Sequence, residues 1–369
     1  MVYIACMAKE TENNQLIKRE PLITIVVPIY NVERFLRQCL DSIVNQSDTN
    51  FKVVLVNDGT KDSSGEIALE YKNQYPELFE YVEQENKGLG GARNTGLDLV
   101  KTKYVRFIDS DDFMALRTME SLNKELENLD VDILLFNPPI YDMVLNNYQI
   151  WYDREYLGRI LKNDIDKVFN PHDYPELMDI QANVCRCVWR TDFLKENNFK
   201  FIEHVYWEDV PAHFYLFHVA KTAKVSDVEG AYYYRTNSGN QITATSGKNR
   251  LDMKYIFAEI LPYFKSKERS VEEKIYMISF LSDYMLWSIR VISDEYLPRF
   301  IKISHKFYRH ISLKLYLKFF FKTKCSLKHK LLIWFLKSGI HYKSLMSKAK
   351  INKKMRIFKR IKKVFKKAA

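Results

Sequence analysis

Two aspartates separated by one residue, Asp109 and Asp111, directly follow the apolar segment formed by residues 104–108. Carboxylate oxygens in this spacing can share a divalent cation such as Mg²⁺ or Mn²⁺, which keeps several waters and takes phosphate oxygens as further ligands. An isolated pair of this kind is explained more simply as the cap of a following helix. Here three acids stand within four positions at the end of a predicted strand. This density favours a metal site with Asp111 and Asp109 as ligands.

A second polar group, residues 57–60, follows the apolar segment formed by residues 51–56. Asn, Asp and Gly are common turn formers, so a turn between two elements explains this group. The alternative is that Asp58 accepts a hydrogen bond from an N–H of a nucleotide base at the floor of a binding site. The spacing alone leaves both interpretations open.

The segment from Asn86 to Asn94 is rich in glycine and carries Lys87 and Arg93. It differs from G-x-G-x-x-G, because Arg93 stands where the third glycine belongs, and from the P-loop, which requires Gly-Lys-Ser/Thr at its end. The segment therefore lacks the motif that would support assignment as a dehydrogenase or as a Walker-type NTPase. A glycine-rich helix start with two cationic side chains still suits a nucleotide diphosphate. A flexible loop with surface charges is the simpler alternative.

Glu208 and Asp209 follow Trp207 and open an apolar segment with helical character, residues 210–219. A carboxylate beside an aromatic ring can act as a general base, because partial burial tunes its pKa. Acids in the first turn of a helix also interact favourably with the helix dipole, and this is the commoner reason for such a pair. The pair is therefore a candidate base with a purely structural alternative.

Short apolar segments alternate with segments of helical spacing over residues 21–137, which predicts an α/β fold with a mostly parallel sheet and helices on both faces. Such sheets bind ligands beyond the C-terminal ends of their strands. We therefore expect the acids described above to converge on one crevice. A further strand is predicted over residues 224–235, followed by helices from residue 248, including a long one over residues 271–294.

The order of these motifs resembles that in family 2 glycosyltransferases, in particular bacterial members that build surface polysaccharides. The resemblance extends over residues 21–245, and the matching segments are residues 26–31, 56–60, 86–94, 107–112 and 207–210. It implies a GT-A fold, whose sheet is Rossmann-like, and inverting transfer of a sugar from a nucleotide sugar, usually a UDP-sugar, to a hydroxyl of a glycan or lipid-linked acceptor. The implied cofactor is Mn²⁺ or Mg²⁺.

The resemblance also implies roles for individual residues. Asp209 would be the catalytic base with Glu208 beside it, and Asp111 would bind the metal together with Asp109. The residues that would bind the donor are Pro28, Tyr30, Asp58, Asn86, Lys87, Arg93, Asp109 and Ser110. Two other functions stay open: a sugar-phosphate nucleotidyltransferase, which would release pyrophosphate instead of UDP, and a non-catalytic protein that binds nucleotide sugars.

The charge of the chain is divided unevenly along its length. Residues 296–369 contain 23 Lys and Arg residues and no Asp or Glu, whereas residues 1–295 have a net charge of −12. Apolar and basic residues recur at helical spacing over residues 351–369, which predicts an amphipathic helix of the kind that lies in a membrane interface. We therefore expect an anionic membrane surface as a partner, and a cytoplasmic enzyme held at the inner face of the cell membrane. No nucleic-acid-binding motif accompanies the charge, so nucleic acid is not expected as a partner.

These observations divide the chain into four parts. Residues 1–20 are a polar lead-in, in which either Met1 or Met7 is the start and the signal-peptide pattern is absent. Residues 21–247 form the GT-A domain, residues 248–296 a helical extension, and residues 297–369 a basic amphipathic helical tail. The apolar positions of residues 296–339 are expected to pack in part on the catalytic domain.

Overall fold

The structure, a computed structural model, describes residues 20–151, 153–228, 231–236, 245–323 and 325–338. In its first half strands and helices alternate as the apolar spacing predicts. These elements are β1 (Ile23–Ile29), α1 (Glu33–Val44), β2 (Lys52–Asn57), α2 (Ser64–Gln74), β3 (Phe79–Glu83), α3 (Gly88–Leu99), β4 (Tyr104–Phe107), α4 (Thr118–Leu126) and β5 (Ile133–Phe136). The predicted lead-in lies outside the described residues except for Glu20.

The remaining elements are short strands and helices up to residue 236, followed by helices only. They are β6 (Ile140–Asp142), β7 (Asn147–Gln149), α5 (Arg154–Leu161), β8 (Cys187–Arg190), α6 (Thr191–Glu196), α7 (Asp209–Val219), β9 (Ala223–Ser226), β10 (Tyr234–Thr236), α8 (Met253–Lys265), α9 (Val271–Val291), α10 (Leu297–Tyr308), α11 (Leu313–Lys322) and α12 (Leu327–Ser338).

Seven strands form the central sheet in the order β3-β2-β1-β4-β8-β5-β9. All neighbouring pairs are parallel except those of β8, which runs antiparallel to both β4 and β5. Every residue of β1 and of β4 is buried, as expected for strands that are covered on both faces. The fold is therefore the predicted mostly parallel sheet flanked by helices, and its parallel strands direct their carboxyl ends to one edge.

The strand predicted over residues 224–235 is wrong in its middle. Two short strands occupy its ends: β9 lies at the edge of the central sheet, and β10 pairs with β6 in a separate sheet of three strands. The backbone N–H of Val228 donates a hydrogen bond to the hydroxyl of Ser226, which also donates to Glu125. A local bond of this kind competes with the sheet ladder, and β9 ends there.

The helices after residue 250 pack against one another and against the sheet domain. Phe257 of α8 stacks on Phe307 of α10 with ring centroids 4.5 Å apart, and Phe300 and Tyr308 of α10 are fully buried. Helices α11 and α12 contact α9. Among the described helices, none combines the length and the apolar character that crossing a membrane requires. The described part of the predicted tail, residues 297–338, is thus built on the extension, whereas the predicted amphipathic helix over residues 351–369 lies outside the described residues.

Candidate active site

The guanidinium of Arg93 binds three carboxylates that come from distant parts of the chain. Its Nη1 donates to Glu208 Oε1 at 2.8 Å and to Asp209 Oδ1 at 2.6 Å, and its Nη2 donates to Asp109 Oδ1 at 2.8 Å. The Arg93 side chain is only 1% exposed. We call Arg93, Asp109, Glu208 and Asp209 the Arg93 cluster. It joins the middle of α3 and the start of α7 to the loop that follows β4.

The position of Arg93 depends on a close approach between α3 and residues 201–202. Asn94 donates a hydrogen bond to the carbonyl of Phe201 and accepts one from its N–H, at 2.9 and 2.8 Å. A Cβ on Gly90 would stand only 2.2 Å from the carbonyl oxygen of Ile202. The guanidinium of Arg93 also lies over the ring of Phe201, 5.5 Å from its centroid. The glycines of this segment therefore permit helix packing that aims Arg93 at the acids.

Burial shapes the protonation of the two acids that open α7. It raises the pKa of Glu208, as does the neighbouring charge of Asp209, while Arg93 opposes the shift. It also raises the pKa of Asp209, against the attraction of Arg93. The Glu208 side chain is 5% exposed and that of Asp209 is 22% exposed. Glu208 is the more deeply buried of the two acids that open α7, so burial favours its protonated form.

Trp207, directly before these acids, has a left-handed backbone with a φ of 74°. An aromatic residue with positive φ is strained, and such strain persists only where the surroundings enforce it. Here the Trp207 ring packs edge-on against Tyr284 and Trp287 of α9, with centroids 5.3 Å away in both cases, and Arg250 lies over its face. The helical extension thus holds the residue that turns Glu208 and Asp209 towards Arg93.

Asp111 lies two residues after Asp109 of the Arg93 cluster, in the same loop. Burial, reinforced by the charge of Asp109, raises the pKa of Asp111 to about 6. Asp112 accepts a hydrogen bond from the backbone N–H of Arg235, and its Oδ2 is buried without a hydrogen-bond partner among the described atoms. Arg235 Nε donates to the carbonyl oxygen of Asp111. The carboxylates of Asp109 and Asp111 are close enough to repel each other, and they are hard oxygen ligands suited to Mg²⁺ or Mn²⁺.

The polar residues at the ends of β2 and β3 form a separate group. Asp58 Oδ1 accepts hydrogen bonds from Gln84 Nε2 at 2.7 Å and from the Lys87 N–H at 2.8 Å. The Asp58 carbonyl accepts a third from Asn86 Nδ2 at 2.9 Å. Asp58 is 2% exposed. It therefore fixes the loop that leads into α3, whereas the side chains of Asn86 and Lys87 are exposed.

The end of β1 borders this loop. Pro28 is buried within β1, and Tyr30, just beyond the strand, is 46% exposed. Asn31 has a φ of 49°, and its carboxamide oxygen accepts hydrogen bonds from the Thr60 hydroxyl and the Lys61 N–H. The first strand end is thereby tied to the second. Tyr30 presents an accessible ring at the edge of the sheet where parallel α/β folds bind ligands.

The structure thus brings Arg93, Asp109, Glu208 and Asp209 into direct contact and places Asp111 beside them. Asp58 belongs to the second group, one strand away, because β1 lies between β2 and β4. Ser110 is buried between the two acids of its loop. Arg93 was predicted to contact the donor, but its guanidinium is occupied by carboxylates. Sequence reasoning missed Gln84 and Arg250, since no motif distinguishes them from surface residues.

Residues 24–186 match the family described as Glycosyl transferase family 2. Among curated proteins, glycosyltransferase GlyA of Streptococcus pneumoniae is 47% identical over 115 residues, which cover 31% of this chain and 16% of GlyA. The glycosyltransferase EpsJ of Bacillus subtilis is 32% identical over 241 residues, which cover 63% of this chain and 66% of EpsJ. The chain therefore spans less than two thirds of the length of these relatives.

The fold is similar to that of TarS from S. aureus. Its crystal structure aligns with a TM-score of 0.65 at 19% sequence identity, covering 87% of this chain and 53% of TarS. The structure of TarS residues 1–349 in complex with UDP-GlcNAc aligns with a TM-score of 0.64 at 18% identity, covering 87% of this chain and 92% of that one. At these identities the likeness establishes the architecture of the sheet and its helices.

Proposed function

Because the chain belongs to glycosyltransferase family 2 and has the GT-A fold, we propose that it transfers a sugar from a nucleotide sugar to a hydroxyl of a glycan or lipid-linked acceptor. The donor proposed here is a UDP-sugar and the process is bacterial surface-polysaccharide synthesis. TarS, which shares the fold, has been solved with UDP-GlcNAc. The observation that carries the proposal is the gathering of Asp109, Glu208 and Asp209 on Arg93 at the carboxyl edge of the sheet.

In the proposed reaction, Asp209 is the catalytic base. It is the more exposed of the two acids that open α7, so an acceptor hydroxyl can reach it. Asp209 removes the proton of this hydroxyl as its oxygen attacks the anomeric carbon from the face opposite the diphosphate. The bond from the anomeric carbon to the phosphate oxygen breaks, UDP leaves with the bonding electrons, and the configuration at the anomeric carbon inverts.

The other members of the Arg93 cluster position this base. Glu208 retains a proton, because ionisation of both neighbouring acids in a buried site is unfavourable. The hydrogen bond from Arg93 Nη1 holds the Asp209 carboxylate and favours its ionised form. Arg93 therefore acts as a positioning residue, because its guanidinium is hydrogen-bonded to the three carboxylates. Glu208 supports the base without touching substrate.

Asp109 and Asp111 fit a divalent cation, since they offer hard oxygen ligands from one loop, and burial together with the charge of Asp109 raises the pKa of Asp111. Mg²⁺ or Mn²⁺ held there would neutralise charge on the departing diphosphate. In the second group, Asp58 and the exposed side chains of Asn86 and Lys87 would bind the nucleotide, with Tyr30 beside the base. The loop of Ser110 would face the ribose.

The central test is Asp209→Asn, which keeps the shape of the side chain and removes its basicity. We expect turnover to fall by about 10²–10⁴-fold, while UDP-sugar binding measured by calorimetry stays within about twofold of the wild-type value. Asp192→Asn, which alters an exposed acid on α6, is the matched control and should retain full turnover. Near-normal turnover of Asp209→Asn would exclude the assignment.

The donor can be identified before the acceptor is known. A panel of nucleotide sugars with Mn²⁺ should reveal one that the protein hydrolyses slowly, because water can replace the acceptor hydroxyl in the site. Release of UDP supports sugar transfer, whereas release of pyrophosphate from a nucleoside triphosphate and a sugar phosphate would identify a nucleotidyltransferase instead. EDTA should suppress the hydrolysis, and added Mn²⁺ should restore it.

We also propose that the protein associates peripherally with the inner face of the cell membrane through its basic C-terminal segment. The proposal rests on the excess of Lys and Arg after residue 295 and on the attraction of about 1 kcal/mol that each basic residue near an anionic surface contributes. Flotation with anionic vesicles should recover the full chain, and deletion of residues 351–369 should weaken recovery. RNA binding without vesicle binding would contradict the proposal.

A further inference from the structure

Helices α11 and α12 leave a row of large apolar side chains exposed on each of their outer surfaces. On α11 these are Leu313, Leu317 and Phe321, which are 54%, 44% and 79% exposed. On α12 they are Leu327, Leu331 and Trp334, which are 61%, 53% and 41% exposed. We call these six residues the α11–α12 face. Their spacing of three or four residues places each row along one side of its helix.

The two rows belong to one rigid surface. The ring of Trp334 on α12 lies 5.4 Å from that of Tyr316 on α11, and the Tyr316 hydroxyl donates to the carbonyl of Lys330 at 3.0 Å. The opposite sides of both helices are anchored in the core by Phe319, Leu332 and Ile333, which are fully buried. The exposed rows are therefore held outwards by packing.

Basic residues accompany the apolar ones. On α11 a second row, formed by Lys314, Lys318 and Lys322, runs one residue after the apolar row, and all three side chains are exposed. Lys322 pairs with Glu272 of α9. Residues 296–369 contain no acidic residue that could attract a basic partner. A surface that offers apolar rows flanked by lysines is complementary to a bilayer interface with anionic headgroups, which takes both kinds of side chain at once.

We propose that the α11–α12 face inserts into the interface of an anionic membrane, independently of the segment formed by residues 351–369. Leucine and aromatic side chains enter the boundary between headgroups and acyl chains, while the lysine row contacts the headgroup phosphates. This inference does not rest on the catalytic proposal, because it uses no residue of the Arg93 cluster. It places the whole folded enzyme against the membrane with a fixed orientation.

The test compares two double variants of the full chain by flotation with vesicles of phosphatidylcholine containing roughly one third phosphatidylglycerol. Leu317→Ser with Phe321→Ser should weaken partitioning roughly tenfold, because two side chains no longer enter the interface. Leu69→Ser with Tyr255→Ser removes an exposed leucine and an exposed aromatic ring from α2 and α8, and should leave partitioning unchanged. Equal partitioning of both double variants would overturn the inference.

A second measurement reports how deeply Trp334 enters the bilayer. Brominated phosphatidylcholine quenches the fluorescence of tryptophan that enters the acyl region, so it should quench the wild-type chain and fail to quench Trp334→Phe. Quenching that persists in Trp334→Phe would contradict insertion of this face. The face would instead be assigned to self-association by two results together. The wild-type protein would form concentration-dependent dimers that Leu317→Ser with Phe321→Ser abolishes, and it would not bind vesicles. UDP-sugar hydrolysis, measured without vesicles, should be equal in all variants, and its absence from the wild type would count against the proposed function alone.

Discussion

At the scale of single residues, the site is governed by the balance between one buried cation and three acids. Arg93 is 1% exposed and lies within hydrogen-bond distance of Asp109, Glu208 and Asp209. Breaking a buried ion pair by removing one partner leaves an uncompensated charge, which is far more costly than the net contribution of the intact pair. The cluster is therefore stable only as a unit, and its stability must depend on pH.

This dependence leads to a prediction for Arg93→Met. Loss of the guanidinium should lower the free energy of unfolding by about 3–5 kcal/mol near pH 8. The pKa values of Glu208 and Asp209 are raised by burial already, and without Arg93 the main charge that opposes this shift is lost. The folded state then binds more protons than the unfolded state, so stability falls as pH rises above the ordinary carboxyl pKa of about 4. Urea unfolding at pH 6 and pH 8 should show a smaller loss at pH 6.

The control for this prediction removes one of the acids as well. Arg93→Met combined with Glu208→Gln should recover part of the lost stability at pH 8, because the glutamine amide is neutral without taking up the proton that a buried Glu208 must bind at this pH. An equal loss at both pH values, with no recovery in the double variant, would show that Arg93 contributes mainly through packing against Phe201.

The residue types at the site could be read from the sequence, but their grouping could not. Three acids within four positions at the end of a predicted strand indicate a site, so the sequence predicts Asp109 and Asp111 as ligands from their position. The sequence predicts Arg93 as a donor contact, and nothing local shows that residues 208 and 209, more than one hundred positions away, lie against its guanidinium. Long-range pairing of this kind depends on how α3 and α7 pack.

At the scale of elements, the start of α3 determines whether the Arg93 cluster can form. Gly90 approaches the backbone of residue 202 more closely than any side chain would allow. The glycine-rich segment predicts a helix start within residues 86–94, and the structure begins α3 at Gly88, which has a φ of 75°. By contrast, periodicity could not show that β8 runs antiparallel, because a short apolar strand reads alike in both directions.

We predict that Gly90→Ala destabilises the protein by about 1–3 kcal/mol, because the new methyl group would overlap a carbonyl oxygen that belongs to backbone. Gly158→Ala is the matched control within α5. A Cβ at this position meets no atom within 4 Å, so the exchange should stabilise by about 0.5–1 kcal/mol through helix propensity. Chemical denaturation of the two variants measures both effects. A neutral Gly90→Ala would mean that α3 and residues 201–202 can separate freely.

At the scale of the whole molecule, the helices after residue 296 extend the core that supports the site. Trp207 takes its strained conformation against α9, and α9 in turn contacts α11 and α12. The sequence pattern predicts that residues 296–339 pack in part on the catalytic domain, whereas α10 packs on α8 of the helical extension, and α11 and α12 pack on α9. The pattern could not tell which apolar positions face inwards, since leucine and phenylalanine occur on both sides of α11.

The last prediction compares two truncations of the chain. Removal of residues 339–369 should leave cooperative unfolding and UDP-sugar binding intact, because the described contacts of the Arg93 cluster and of α8–α12 all remain. Removal of residues 297–369 should abolish both, since it exposes Phe257 on α8 and the side of α9 that packs on α11 and α12. Thermal unfolding and calorimetry with the donor measure the two properties. A chain that lacks residues 297–369 and still binds donor and unfolds cooperatively would mean that α10–α12 form a separate unit, and that Trp207 is held without them.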